Sequence, residues 1–211
     1  MIIEKSKDNL FELNFLDRFM YYHKGFIAGG CFKNLFNHEK IKDIDMFFRS
    51  TTDFAEADRH FRTYKGIKNK ENLYLLIYEN NNVKAYKNKE NGVVVELNRK
   101  VFGEPKEIIQ KFDFTITKFA YYKEFESDDD GELVVNEFVI CDENFFEHLH
   151  LKKLVVDDKL LYPASTFERM IRYIKYGYMP CRETKIKIMK AINELNKEEI
   201  EVTNNLYDGF D

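Results

Sequence analysis

The stretch that decides the reading is Gly25-Phe26-Ile27-Ala28-Gly29-Gly30-Cys31-Phe32-Lys33-Asn34-Leu35-Phe36, followed after a polar segment by Lys42-Asp43-Ile44-Asp45-Met46-Phe47-Phe48. A short apolar run ending in paired glycines and then an amphipathic hexamer predicts strand, tight turn and helix. Asp43–Phe48 predicts a second strand. Because side chains alternate along a strand, Asp43 and Asp45 project from one face, roughly 6–7 Å apart. Two ionised carboxylates at that spacing repel, and divalent cations with hard oxygen preference relieve the repulsion. The Gly29-Gly30 turn opens a helix N-terminus whose backbone N–H groups can approach phosphate oxygens unobstructed by a Cβ. Lys33 and Lys42 add positive charge close by in sequence. Either signal alone is common; the glycine pair and the Asp-x-Asp in this order point to a metal-dependent triphosphate site.

Outward from this stretch, Leu10, Leu13, Leu16 and Met20, widened by Phe11, Phe15 and Phe19, predict an amphipathic helix over 8–22. A helix is expected from about Thr52 or Asp53, with Phe54, Ala57, Phe61 and Tyr64 on one face. Leu73–Tyr78 and Val83–Tyr86 flank an Asn-rich turn and predict a hairpin, and Val93–Asn98 supplies another strand. Glu104-Pro105 opens a short helix to Lys111, with proline where its missing N–H costs nothing. A turn over 127–131, a strand over Leu133–Cys141 and helices over 163–176 and 182–196 complete the chain. The expected class is α+β: a mixed sheet flanked by helices, spanning residues 1–160, with a C-terminal helical segment over 161–197 and an acidic tail over 198–211.

Composition narrows the function. The 211 residues are 44% hydrophobic and 33% charged, and 33 Lys+Arg against 37 Asp+Glu leave a net charge of −4. That excludes a disordered chain and a global positive field for nucleic acid, so any nucleic-acid contact is a local patch. Cys31, Cys141 and Cys181 are odd in number and far apart, which argues against a disulfide framework or a zinc knuckle. A charged start and the lack of a long apolar run give the expectation of a cytoplasmic protein with no membrane partner. His148 and His150, two apart, diverge on a helix and read as boundary histidines. Phe47, Phe48, Tyr121 and Tyr122 read as core before they read as base-stacking platforms. Cys31 reads as a small buried residue.

The ordered segments resemble the DNA polymerase beta-type nucleotidyltransferase superfamily, and within it the head domain of class II tRNA CCA-adding enzymes and poly(A) polymerases. Ile27–Leu35 stands where that family has its GGxVRD-type segment, at the family's spacing to Asp43-Ile44-Asp45. Asp113-Phe114-Thr115-Ile116-Thr117-Lys118-Phe119-Ala120-Tyr121 is similar to RRDFTINALAY, and Arg169–Tyr173 with Gly177-Tyr178 to RAIRF…GF. The resemblance covers residues 25–178 and is to a compact, stand-alone head of the kind found in phage and mobile elements. It implies a nucleotidyltransferase fold and the transfer of NMP from an NTP to an acceptor hydroxyl, an RNA or tRNA 3′ end in the family, with release of pyrophosphate. Asp43 and Asp45 would bind two Mg²⁺ ions, replaceable by Mn²⁺, and Gly29, Gly30, Lys33, Lys42, Arg169 and Arg172 would hold the nucleotide.

A third carboxylate usually completes such a site, and two residues compete for the role. Asp113 opens the DFTI segment and is slightly favoured, as a metal ligand as well; Glu96 is costly in so apolar a strand unless paired or metal-bound. Three departures accompany the likeness. The base-reading EDxxR motif would fall near Tyr162–Thr166, which carries neither acid nor arginine; GGxVRD has become GGCFKN; and little chain follows residue 178 for tRNA-gripping domains. Two further readings therefore stand beside RNA extension: nucleotidylation of a protein or small-molecule hydroxyl, and a non-catalytic binding protein on the same scaffold.

Overall fold

The computed structural model describes residues 1–66, 71–127 and 133–195. Its centre is an eight-stranded mixed sheet. In chain order the elements are β1 (Ile2–Ser6), α1 (Asn14–Asp17), β2 (Phe26–Ala28), α2 (Cys31–Phe36), β3 (Asp43–Phe48) and α3 (Thr51–Thr63). The hairpin β4 (Tyr74–Glu79) and β5 (Val83–Asn88), then β6 (Val94–Phe102) and α4 (Pro105–Gln110), complete the first half. β7 (Phe119–Ser127), β8 (Leu133–Asp142), α5 (Phe145–His150), β9 (Lys153–Leu154), α6 (Pro163–Lys175), β10 (Met179–Pro180) and α7 (Arg182–Asn193) follow. The strand order is β1-β8-β7-β2-β3-β6-β5-β4, with β3 and β6 parallel and the other neighbours antiparallel. Two-residue β9 and β10 pair separately.

The parallel pair needs a crossover, and α3 with the β4–β5 hairpin provides it. Ser50 caps α3, its hydroxyl accepting from the Asp53 N–H at 3.2 Å, a contact that stabilises a helix start by about 1 kcal/mol. Ala57 and Phe61 of α3 then pack beneath Ile44, Met46, Phe48, Val95 and Leu97 in the main core. Met170, Tyr178 and Ile188 of the C-terminal helical part belong to that same core. On the other face, α4 lays Ile108 and Ile109 against Phe26, Ala28, Phe47, Ala120, Tyr122 and Ile140. Its start is a reciprocal capping box of Glu104 and Glu107 with Pro105 in the first turn.

The first predicted helix is broken. Residues 8–22 form a 3₁₀ turn at Phe11–Leu13, the four-residue α1, and further turns bounded by positive φ at Asn9 (71°) and Tyr22 (65°). Leu13, Leu16, Phe19 and Met20 are buried as their spacing predicts, but Phe11 is 76% exposed. Neither short helix has a side-chain cap. Bonds from Leu13 N–H to Leu10 O, Phe19 N–H to Leu16 O and Met20 N–H to Asp17 O tighten the backbone to three residues per turn. β1 and α5 carry no strong periodicity and are additions by the structure. The expected turn over 127–131 and the acidic tail 198–211 fall wholly or mostly outside the described residues. Among those described, no helix is long and apolar enough to cross a membrane.

Candidate active site

The site is built from the turn after β2 and the start of β3. Ile44, Met46 and Phe48 drive one side of β3 into the main core, so Asp43, Asp45 and Phe47 face the α4 side of the sheet. Parallel pairing with β6 sets Asp45 opposite Glu96 and Asp43 opposite Val94. Glu96 thus stands beside Asp45 one strand away. Like charges on directly opposed residues of neighbouring strands repel. Asp45 answers accordingly: burial, then the charges of Glu96 and Asp43, push its carboxyl well above the usual range. Among the described residues, no lysine or arginine forms an ion pair with Asp43 or Asp45.

Gly29 sits directly against this group. Its φ of +106° is open to glycine and strained for other residues, and a Cβ there would lie 3.4 Å from Asp45 Oδ2 and 3.6 Å from the Phe112 ring. A Cβ on Gly30 would meet Tyr173 Oη of α6 at 3.6 Å. The turn is therefore a narrow cradle between the carboxylates and α6. Cys31, which follows it, is buried, and burial with the charges of Asp45 and Asp43 keeps its thiol protonated. It is not a nucleophile.

The other anticipated residues divide. Asp113 is 8% exposed and lies with Arg169, whose Nε is 2.9 Å from its Oδ2. Burial raises its pKa against the opposing pull of Arg169, Thr166 and Lys118. Asp113 thus belongs to the seam between the DFTI segment and α6, and Glu96 belongs with Asp43 and Asp45. Strand order, which no local pattern reveals, makes this division. Tyr173 joins the two groups, its hydroxyl pushed well up by burial and touched by the fields of Arg169, Asp45, Arg172 and Asp113. Arg172 is half-buried and Lys42 exposed. Lys33 is buried over the rings of Tyr176 (5.5 Å) and Tyr178 (5.9 Å), bonded to Asn34 and 3.7 Å from Glu39. Burial lowers its pKa.

Two further residues bear on the site: Tyr173 against Gly30, which closes the Arg169–Tyr173 segment but was given no role by it, and Tyr78, which no sequence signal marked and whose hydroxyl donates to Glu96 Oε1. His148 is buried, its Nδ1 2.7 Å from the Thr115 hydroxyl, in an internal contact away from the carboxylates. Phe47, Phe48, Tyr121 and Tyr122 are all core.

The donor set suits a hard divalent cation: three carboxylates on one sheet face, two of them without an ion pair and one burdened by its neighbours' charge. As they stand, no three such side chains among the described residues converge on a common point.

Comparison with solved structures gives the same architecture. A CCA-adding enzyme in complex with CTP superposes with a TM-score of 0.58 at 16% identity, covering 96% of this chain and 49% of that one. The Thermotoga maritima CCA-adding enzyme complexed with tRNA gives 0.55 at 16%, covering 92% and 47%. A tRNA nucleotidyltransferase complexed with a primer tRNA and an incoming ATP analog gives 0.52 at 16%, covering 92% and 55%. The chain spans about half the length of these structures, and the likeness is one of fold. No curated protein matches the sequence. The model of a family described as "Gad2: Gabija anti-defense 2 family protein" matches residues 5–152. That match runs from the end of β1 through α5, with the glycine turn and all three sheet carboxylates, and the chain belongs to the Gad2 family.

Proposed function

We propose that this protein is a Mg²⁺-dependent nucleotidyltransferase that moves NMP from an NTP to an acceptor hydroxyl and releases pyrophosphate. The observation that carries the reading is Asp43 and Asp45, without an ion pair among the described residues, on the sheet face that Glu96 shares and against the Gly29 cradle. Divalent cations, Mg²⁺ or Mn²⁺, held by Asp43 and Asp45 would supply charge neutralisation for the carboxylates and for the triphosphate.

In this reading Gly29 and Gly30 seat the triphosphate by close backbone approach. Glu96, held by the Tyr78 hydroxyl, accepts the proton of the attacking hydroxyl as that hydroxyl adds to the α-phosphorus. Pyrophosphate departs on the opposite side. Arg169, fixed by Asp113, and Arg172 line the α6 side where the nucleoside would lie, and Lys42 is an exposed cation at the start of β3. Lys33 supports the turn from within.

The acceptor in the first reading is an RNA 3′ end, on the likeness to structures solved with tRNA. The family's description favours a second, in which the acceptor is a hydroxyl on a protein of the defence system that the family opposes. Incubation with each labelled NTP, total RNA and soluble protein separates them. Label on RNA supports the first and label on protein the second, and either must vanish in the Asp43→Ala/Asp45→Ala double variant. Label that persists in that variant would refute the site. An absence of both label and Mg²⁺-dependent NTP binding would leave a non-catalytic binding protein.

A further inference from the structure

The hairpin β4–β5 lies on the edge of the sheet beyond β6, and one irregularity in it bears on the carboxylates. Tyr74 pairs with Asn88 and Leu76 with Tyr86, but the next paired residue is Tyr78, opposite Ala85, which leaves Ile77 as an inserted residue. This is a β-bulge. In a regular strand residues four apart share a face, so Tyr74 and Tyr78 would point the same way. The bulge parts them. Tyr74 packs edge-on against Phe61 at 4.7 Å, in the core beneath the sheet. Tyr78 stands with Ala85, and Ala85 is the β5 partner of Glu96, so Tyr78 emerges on the carboxylate face. Its hydroxyl donates to Glu96 Oε1 across the intervening strand.

We propose that the β4 bulge exists to deliver Tyr78 to Glu96, and that Tyr78 is a positioning residue which holds the third carboxylate of the site in its working orientation. The role rests on the catalytic reading above and names a residue that the reading does not require. Three carboxylates crowded on one face tend to swing apart, and Glu96 has a long, rotamer-rich side chain. A donated O–H fixes one oxygen and shares its charge. Bulges beside active sites are a recognised device for re-aiming a side chain.

The test is a double-mutant cycle read by Mn²⁺ binding, measured by electron paramagnetic resonance on the full chain, with melting temperature in parallel. Tyr78→Phe keeps the ring and removes the donor. It is expected to weaken Mn²⁺ binding about tenfold in the wild-type background, as for a hydrogen bond to a charged group, and to have no further effect in Glu96→Gln. NTP incorporation should show kcat lowered with KM for NTP unchanged. Tyr74→Ala is the opposite control: it should lower the melting temperature and leave Mn²⁺ affinity intact. Equal Mn²⁺ affinity in wild type and Tyr78→Phe, or an equal loss with and without Glu96, would overturn the positioning role alone. A wild type that takes up no Mn²⁺ would overturn the catalytic reading and this role together.

Discussion

Two clusters of acidic side chains, one joining Asp17 of α1 to Glu137 of β8 and one on β3 and β6, behave in opposite ways. In the first, Asp17 and Glu137 are surrounded: Lys7 Nζ lies 3.1 Å from Asp17 and 2.9 Å from Glu137, and Lys123 Nζ lies 2.8 and 2.9 Å from the same pair. The Tyr121 hydroxyl is 2.5 Å from Asp17 and 2.7 Å from Glu137. Despite partial burial, bonds from Lys123, Tyr121 and Lys7 hold Glu137 down at about 2. In the second cluster Asp43, Asp45 and Glu96 share a face, the Tyr78 hydroxyl donates to Glu96, Asp43 and Asp45 have no ion pair among the described residues, and Asp45 is driven the other way. Charge compensated inside the protein holds the fold together. Asp43 and Asp45, beside the glycine turn and without an ion pair among the described residues, are the charges that the proposed cation would meet.

The sharpest way to break this contrast is to remove one acid from each cluster. Asp45→Asn should lower nucleotidyl transfer by about a hundredfold to a thousandfold, the cost of removing one preorganised electrostatic contact. It should also stabilise the apo protein by about 1 kcal/mol, a rise of about 2–4 °C for a chain of this size. A gain in stability together with loss of activity is the signature of a functional acid. Glu137→Gln should do the reverse. It leaves Lys7 and Lys123 short of a partner in a part-buried network, which costs about 2 kcal/mol, below the 3–5 of a fully buried pair. Transfer should be unchanged. Thermal melts and label incorporation on the two variants decide both points, and a destabilised Asp45→Asn would sink the contrast.

Gly29→Ala is the next largest effect. At φ +106° an alanine is strained by about 1–3 kcal/mol, and its Cβ presses on Asp45. Transfer should fall with a raised KM for NTP, whereas Gly92→Ala, at positive φ with nothing within 4 Å, should cost stability and leave KM alone. The smallest effect sharpens the compensated side through pH. Glu137 titrates near its usual 4.5 when unfolded and about 2 when folded, so its contribution is present above about pH 4.5 and is lost as pH falls towards 2. Urea melts from pH 5 to pH 2.5 should show stability declining in wild type and declining less in Glu137→Gln. His23 adds a second slope. Buried with Nδ1 accepting from the Gly25 N–H and Nε2 against Phe19 O, it is held neutral with a pKa of about 3, so stability also falls below about pH 6.5.

These two clusters were not equally legible in the sequence. Gly29-Gly30 and Asp43-Ile44-Asp45 announce themselves because their chemistry is local: alternation puts two acids on one face, and paired glycines free a backbone. Glu96 and Asp113 could not be separated because the choice depends on β6 lying parallel beside β3, a non-local pairing made across 45 intervening residues by the α3 crossover. Tyr78 was hidden for a related reason, since an inserted residue inverts the face that periodicity assigns. The compensated cluster left no trace at all, because Lys7, Asp17, Tyr121, Lys123 and Glu137 come from segments separated by up to 130 positions. The helix expected over 8–22 erred differently: Leu13, Leu16, Phe19 and Met20 are buried as expected and Phe11 is not, because uncapped short turns rather than a continuous helix present these side chains.

The most direct measurement of the central claim is the melting temperature of wild type and Asp45→Asn, each with and without millimolar Mg²⁺. A cation that binds the native state and not the unfolded chain raises stability by mass action. The account predicts that Mg²⁺ raises the wild-type melting temperature, while Asp45→Asn melts higher than wild type without Mg²⁺ and does not respond to it. A wild type indifferent to Mg²⁺, with Asp45→Asn melting lower, would show that these carboxylates serve the fold and would contradict the account.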